Sequence, residues 1–119
     1  MDVQQVANKL IALCRDKKFQ EAELELYADD VVILEMKGHP MEHAEGKATA
    51  AQKTTNWLNS LEALHQFEVS DPIIAGNYFT VRMSFDMTKK GAPRFGFNEL
   101  AVFGVKDGKI STVQFFYSR

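Results

Sequence analysis

The sequence predicts an α+β fold, with helices laid on one face of an antiparallel sheet. Three observations carry that reading. Helical periodicity is confined to the first half of the chain and ends near Leu61. Strand patterns fill the rest, as three or four long antiparallel strands of which Tyr78 to Lys89 alternates most cleanly. Turn signals separate those strands, notably Lys90-Gly91-Ala92-Pro93 and Lys106-Asp107-Gly108-Lys109.

The elements follow in order. Val3, Val6, Ala7, Leu10, Ile11 and Cys14 repeat at helical spacing behind a capping Asp2, which predicts a helix to about Arg15. Asp16-Lys17-Lys18 reads as a turn. Phe19, Ala22, Leu26 and Tyr27 mark a short second helix, with Glu21, Glu23 and Glu25 expected mostly outward and Ala28-Asp29-Asp30 as its break. Val31 to Met36 is rich in β-branched residues and predicts a strand, on which Val31, Ile33 and Glu35 share a face. Lys37 to Gly46 reads as a loop punctuated by Gly38, Pro40 and Gly46. Lys47 to Leu61 is helical again, with Ala50, Ala51, Thr54, Trp57, Leu58 and Leu61 expected on its buried side. Leu64 to Val69 is a strand, and Ile73-Ile74-Ala75 leads into a turn at Gly76-Asn77. On Tyr78 to Lys89, Phe79, Val81, Met83, Phe85 and Met87 face one way; Thr80, Arg82, Ser84 and Asp86 face the other. Ile110 to Tyr117 is the last strand. Three helices leave part of a strongly curved sheet uncovered, and that gap predicts a pocket.

Composition narrows the function. The 119 residues predict one domain, 1–119, and 45% hydrophobic with 25% charged residues is an ordinary globular balance. A net charge of −2 with scattered basic residues argues against nucleic acid or an anionic membrane as partner. No stretch is long and apolar enough to span a bilayer, and MDVQQVANKL is not a secretory leader. The single Cys14 belongs to the first helix's apolar stripe and reads as a buried structural thiol in a reducing, cytoplasmic setting.

The most informative stretch is Pro93 to Lys106. Phe95, Phe97, Ala101, Phe103 and Val105 share one face, and Glu99 falls among them. A carboxylate in an apolar row is costly unless it is paired, bonded or neutralised. The expectation is that this face lines a cavity that uses Glu99.

Leu26-Tyr27-Ala28-Asp29-Asp30-Val31-Val32, Glu45-Gly46, Asp107-Gly108-Lys109-Ile110 and Phe115-Phe116-Tyr117 together resemble the nuclear transport factor 2-like superfamily, in its SnoaL-like branch. The resemblance covers nearly the whole chain. It implies a cystatin-like cone, with three N-terminal helices on a strongly curved antiparallel or mixed sheet that encloses a pocket. It also implies a homodimer through the outer sheet face. The superfamily holds isomerases, dehydratases, cyclases, binding proteins and adaptors, so the fold leaves the activity open. By similarity to its steroid isomerases, Glu35 takes the place of the general base. Glu99 takes that of an acid kept protonated by an apolar site, which raises a carboxyl pKa. The tyrosine donor of that branch falls at Ile11 here.

Candidate site residues follow. Glu35, Glu99 and His43 are the catalytic candidates, with His43 or His39 as proton shuttle from a lid loop. The bland alternative is a pair of structural carboxylates held by Arg82, Arg94, a lysine or His43. Trp57, Phe85, Phe97 and Tyr117, with Ile11, are the ligand-binding candidates; Phe79, Phe103 and Phe115 could line a pocket or pack a core. His39 and His43 with Glu42 and Glu45 resemble a metal set, but Pro40 interrupts the spacing, so neither metal nor cofactor is expected. The ligand class is a small, largely apolar or carbonyl-containing molecule. The alternatives are a non-catalytic binding or dimeric scaffold and, with no large exposed apolar strip evident, last an adaptor.

Overall fold

The computed structural model describes residues 1–118. Helix α1 runs Val3–Arg15 and α2 Phe19–Leu26, followed by β1 (Tyr27–Leu34), β2 (His43–Glu45), α3 (Lys47–Ser60), β3 (Leu61–Val69), β4 (Ile73–Ala75), β5 (Tyr78–Lys89), β6 (Phe95–Lys106) and β7 (Lys109–Phe116). The strands form one mixed sheet in the order β2-β1-β7-β6-β5-β3, with β4 added beside β5. This is the cystatin-like α+β architecture, three helices on a sheet.

Local chemistry explains the boundaries. Asp2 caps α1 by accepting from the Gln5 backbone N–H at 2.8 Å, and the Gln5 side chain accepts from the Asp2 N–H in return. Gly46, at φ +97°, turns the chain into α3 in a conformation that side-chain-bearing residues rarely adopt. The cap is backbone only, and the Gly46 N–H donates to the Val31 carbonyl at 2.8 Å, which ties α3 to β1. Register shifts interrupt the β1–β7, β3–β5 and β6–β7 ladders. Such irregularities bend strands, which is how a flat ladder becomes a concave one.

Several boundaries differ from the sequence expectation. β1 begins at Tyr27, so Tyr27, expected on the second helix, and Ala28 to Asp30, expected as its break, are strand. The break and the strand start are the same event: Asp29 and Asp30 are exposed on a strand whose other residues are buried or half-buried. The Lys37 to Gly46 segment ends in strand β2, because His43, Ala44 and Glu45 pair with Leu34, Ile33 and Val32. Ile73 to Ala75 likewise pair with β5. β3 starts at Leu61, directly on the end of α3. β1 and β7 run parallel, which a mixed sheet requires and simple hairpin counting does not show.

The core sits between α1 and the sheet. Val6, Ala7, Leu10, Ile11 and Cys14 of α1 join Leu26, Val31, Phe79, Val81, Phe103, Ile110 and Val113 in one buried cluster. Phe79 and Phe103 are register partners, and their rings stack at 4.8 Å. Cys14 is buried there, and burial pushes its thiol up to about 12, so it is inert as a nucleophile. On α3 only Ala50 is fully buried; Ala51, Thr54, Trp57 and Leu58 are half-buried. The space next to that helix is open. No helix among the described residues is long and apolar enough to cross a membrane.

Candidate functional site

The open space is a cavity of about 640 Å³ between α2, α3 and the inner face of β5 and β6. Its walls are mostly apolar, and they are built from aromatic rings in sequence. Phe19 meets Trp57 edge-on at 5.6 Å, Trp57 meets Phe85 at 5.5 Å, Phe85 meets Phe97 at 6.2 Å, and Phe97 meets Tyr117 at 5.3 Å. Rings in contact at these spacings form stiff surfaces.

Glu99 projects into this cavity from the middle of β6, opposite Met83 of β5. It is half-buried. Burial, and after it the charge of Glu35, raises its carboxyl to about 7, and Lys53 offsets only part of that. Arg94 is engaged elsewhere, in a two-bond fork with Asp86 at 2.8 and 2.7 Å. That fork holds Asp86 below its usual range.

Glu35 reaches the same cavity from the chain just past β1. Its side chain is 8% exposed, and it is paired twice: Lys53 Nζ lies 3.3 Å and His39 Nε2 3.4 Å from Oε2. Lys53 comes from α3 and also lies over the Phe115 ring at 5.4 Å. His39 is oriented by its own loop, since its Nδ1 accepts the Met41 backbone N–H at 2.9 Å. In a neutral ring that places the proton on Nε2, facing Glu35. The loop itself is knit by Glu35 N–H to the Glu42 carbonyl at 2.9 Å and by Gly38 N–H to Glu42 Oε1 at 2.6 Å. Two carboxyl groups in one cavity thus have unlike surroundings.

The other candidates divide. Trp57, Phe85, Phe97 and Tyr117 all border the cavity. Ile11 does not; it is 4% exposed within the core under α1. His43 does not either: it lies on β2 with its side chain 57% exposed, paired to Glu45 at 3.0 Å. Alternation explains this, because Ala44 takes the inward position and its neighbours point out. Among the described residues no group of three or more His, Cys, Asp and Glu is placed to hold a metal ion.

Sequence reasoning missed Glu23, Tyr27 and Lys53 as cavity residues, and it placed His39 behind His43, although His39 is the one that borders the cavity. Thr54, expected only as part of the buried side of α3, also lines it. Glu23 was expected outward, yet it turns in, where Thr54 Oγ1 donates to its Oε2 at 2.6 Å. The signal was present: Glu23 stands four residues after Phe19 and three before Leu26, on the buried stripe of α2. Burial raises its carboxyl to about 7 against the Thr54 hydrogen bond and the Lys53 charge. Tyr27 is deeply buried, and its phenol is pushed well up by burial, then by Glu23, Cys14 and Glu99.

This geometry has counterparts among known proteins. A family model described as a SnoaL-like domain matches residues 1–117. A crystal structure of a proposed SnoaL-like polyketide cyclase from Mesorhizobium loti is 30% identical, with a TM-score of 0.93, over 98% of this chain and 100% of that one. A protein of unknown function with a cystatin-like fold from Xanthomonas campestris is 15% identical at a TM-score of 0.82, over 100% of this chain and 92% of that one. A hypothetical protein with a ketosteroid isomerase-like fold from Catenulispora acidiphila, solved in complex with trimethylamine, is 17% identical at a TM-score of 0.74, over 95% of this chain and 85% of that one. No curated protein matches the chain.

Proposed function

The chain belongs to the SnoaL-like family, and from that premise we propose that it binds a small, largely apolar, carbonyl-containing molecule in its cavity and acts on it by acid–base chemistry. Glu35 is the base and Glu99 the acid. The observation that carries this is the contrast between them: Glu35 has a lysine and a histidine beside it, while Glu99 is raised to about 7 by burial and by Glu35 itself. Burial thus favours the neutral, proton-donating form of Glu99, beside a Glu35 that Lys53 and His39 hold in place.

The chemistry is balanced without a further reactant. The Glu35 carboxylate takes a proton from the carbon next to the carbonyl. The electron pair moves to the carbonyl oxygen, where the neutral Glu99 donates a hydrogen bond to the developing enolate. Where a carbon–carbon double bond adjoins that carbon, the anion is a dienolate, and return of the proton from Glu35 to its far end moves the double bond, an isomerisation. Attack of the enolate carbon on a second carbonyl of the same molecule, with protonation of the resulting alkoxide, is a cyclisation. Aromatic walls exclude water and hold the molecule against both carboxyl groups.

Exchange of the α-protons of 2-acetylnaphthalene in D2O, followed by NMR, tests this without knowledge of the natural substrate. The wild-type protein should catalyse exchange, Glu35→Gln should abolish it, and Glu99→Gln should slow it by about 100- to 1,000-fold. Undiminished exchange in Glu99→Gln would remove Glu99 from the mechanism. Binding without exchange in the wild type favours the second reading, a non-catalytic ligand-binding scaffold. That reading is supported by Ile11, an aliphatic core residue where the isomerase branch has a tyrosine.

The outer sheet face supports a second copy of the chain as partner. Tyr78, Leu100 and Phe116 are exposed there, and Leu100 pairs with Phe116 across β6 and β7. This is more apolar than strand alternation suggested. Sedimentation should find a dimer that Leu100→Glu converts to monomer; a monomeric wild type would end the proposal.

A further inference from the structure

Glu23 is a third carboxyl group in the cavity wall, and the acid–base pair does not use it. Its two oxygens differ. Oε2 accepts the Thr54 hydroxyl at 2.6 Å. Oε1 is closed off from solvent and has no hydrogen-bond partner. Among the described residues it is the one buried side-chain oxygen or nitrogen left in that condition. An orphaned buried carboxyl oxygen is destabilising, and an apolar residue there would pack without that cost. Glu23 already borders the cavity, and the terminal torsion of a glutamate side chain is broad enough for the carboxyl to adjust to a bound group. Tyr27 lines the same wall, and its phenolic hydroxyl can both donate and accept.

We propose that Glu23, oriented by Thr54 and flanked by Tyr27, forms a subsite for a hydroxyl group of the bound molecule. The hydroxyl donates to the free oxygen of Glu23 and accepts from Tyr27. The inference rests on the proposed reading of the cavity and narrows it: the substrate class becomes a hydroxylated carbonyl compound, with the carbonyl at Glu99 and the hydroxyl toward α2. Glu23 and Glu99 line the same cavity, so one molecule can meet both carboxyl groups. A site built to bond a hydroxyl discriminates against the analogue that lacks it, because the polar wall is then left unpaired.

Calorimetric titration with 2-acetylnaphthalene and with its 5-, 6- and 7-hydroxy derivatives tests this. At least one hydroxy isomer should bind wild-type protein about tenfold more tightly than the parent ketone. In Glu23→Leu that preference should vanish while affinity for the parent ketone stays the same or rises. Thr54→Val, which releases the Glu23 carboxyl, should weaken the preference by a smaller factor. Thermal melts serve as the folding control, and Glu23→Leu should melt at or above the wild-type temperature. A hydroxyl preference that survives Glu23→Leu, or is absent for every isomer while the parent still binds, overturns the subsite alone. Failure of all four ketones to bind overturns the cavity reading and the subsite with it.

Discussion

At Phe79 the inner face of β5 and β6 is shut beneath α1; at Met83 and Glu99, further along the same two strands, it opens on the cavity, and Phe103, stacked on Phe79, stands at the boundary. Both halves carry large apolar residues at alternate positions, with Glu99 as the exception. What differs is the cover. At the closed end the α1 stripe presents small and branched side chains, Val6 and Ala7, which join the stacked rings in one buried cluster. At the open end the cover consists of Trp57 and Phe19, whose rings meet Phe85 and Phe67 edge-on. Hydrophobic content alone therefore does not distinguish a core from a pocket; the shape of the covering side chains does.

Three measurements bear on that contrast. The largest effect should come from truncating rings. Phe79→Ala should cost about 3–5 kcal/mol in urea unfolding, since a packed site keeps the hole. Phe97→Ala, whose ring is half-buried beside existing space, should cost about 1–2 kcal/mol. Equal costs would mean that the two halves are packed alike.

Next is pH. Glu23 and Glu99 rise from 4.5 to about 7 in the folded protein, so between those values the folded state holds protons that the unfolded chain has lost. Stability must then fall as pH climbs from about 4.5 to about 7 and level off above it, the reverse of the usual carboxylate behaviour. At about 1.4 kcal/mol per unit of displacement for each group, less solvent screening, the total is a few kcal/mol. Unfolding at pH 5 and pH 8 reads it, and Glu99→Gln should remove roughly half of the slope. A flat profile would mean that both carboxyl groups are well hydrated.

The smallest effect separates two histidines. His39→Ala removes a partner of Glu35 and the acceptor of the Met41 N–H, and should cost about 1 kcal/mol. His43→Ala removes an exposed side chain and should cost under about 0.5 kcal/mol, leaving α-proton exchange unchanged. A larger loss of exchange in His43→Ala than in His39→Ala would return the proton-shuttle role to His43.

These contrasts mark where the sequence is legible. Periodicity located α1, β5 and β6 closely, because each buries one whole face over several turns or pleats. It placed Glu35 and Glu99 on apolar faces, and both border the cavity. It missed β2 and β4, three residues each, since so short a strand exists through its partner rather than through its own pattern. It placed Glu23 outside because a glutamate on a short helix was assigned by charge, not by spacing. It ranked His43 ahead of His39, since a loop has no period from which to read direction.

The parallel seam between β1 and β7 has a consequence for how this chain is made. Ile33 lies beside Val113, its neighbour in the sheet but some 80 residues later in synthesis. At translation rates of roughly 5–20 residues per second, β1 waits for about 4–16 s before its partner leaves the ribosome. For that interval Val31 and Ile33 have no strand on that side, and the helices and β2, made earlier, or chaperones must shield them. Long-separation pairing of this kind also slows the search for the native fold once the chain is free.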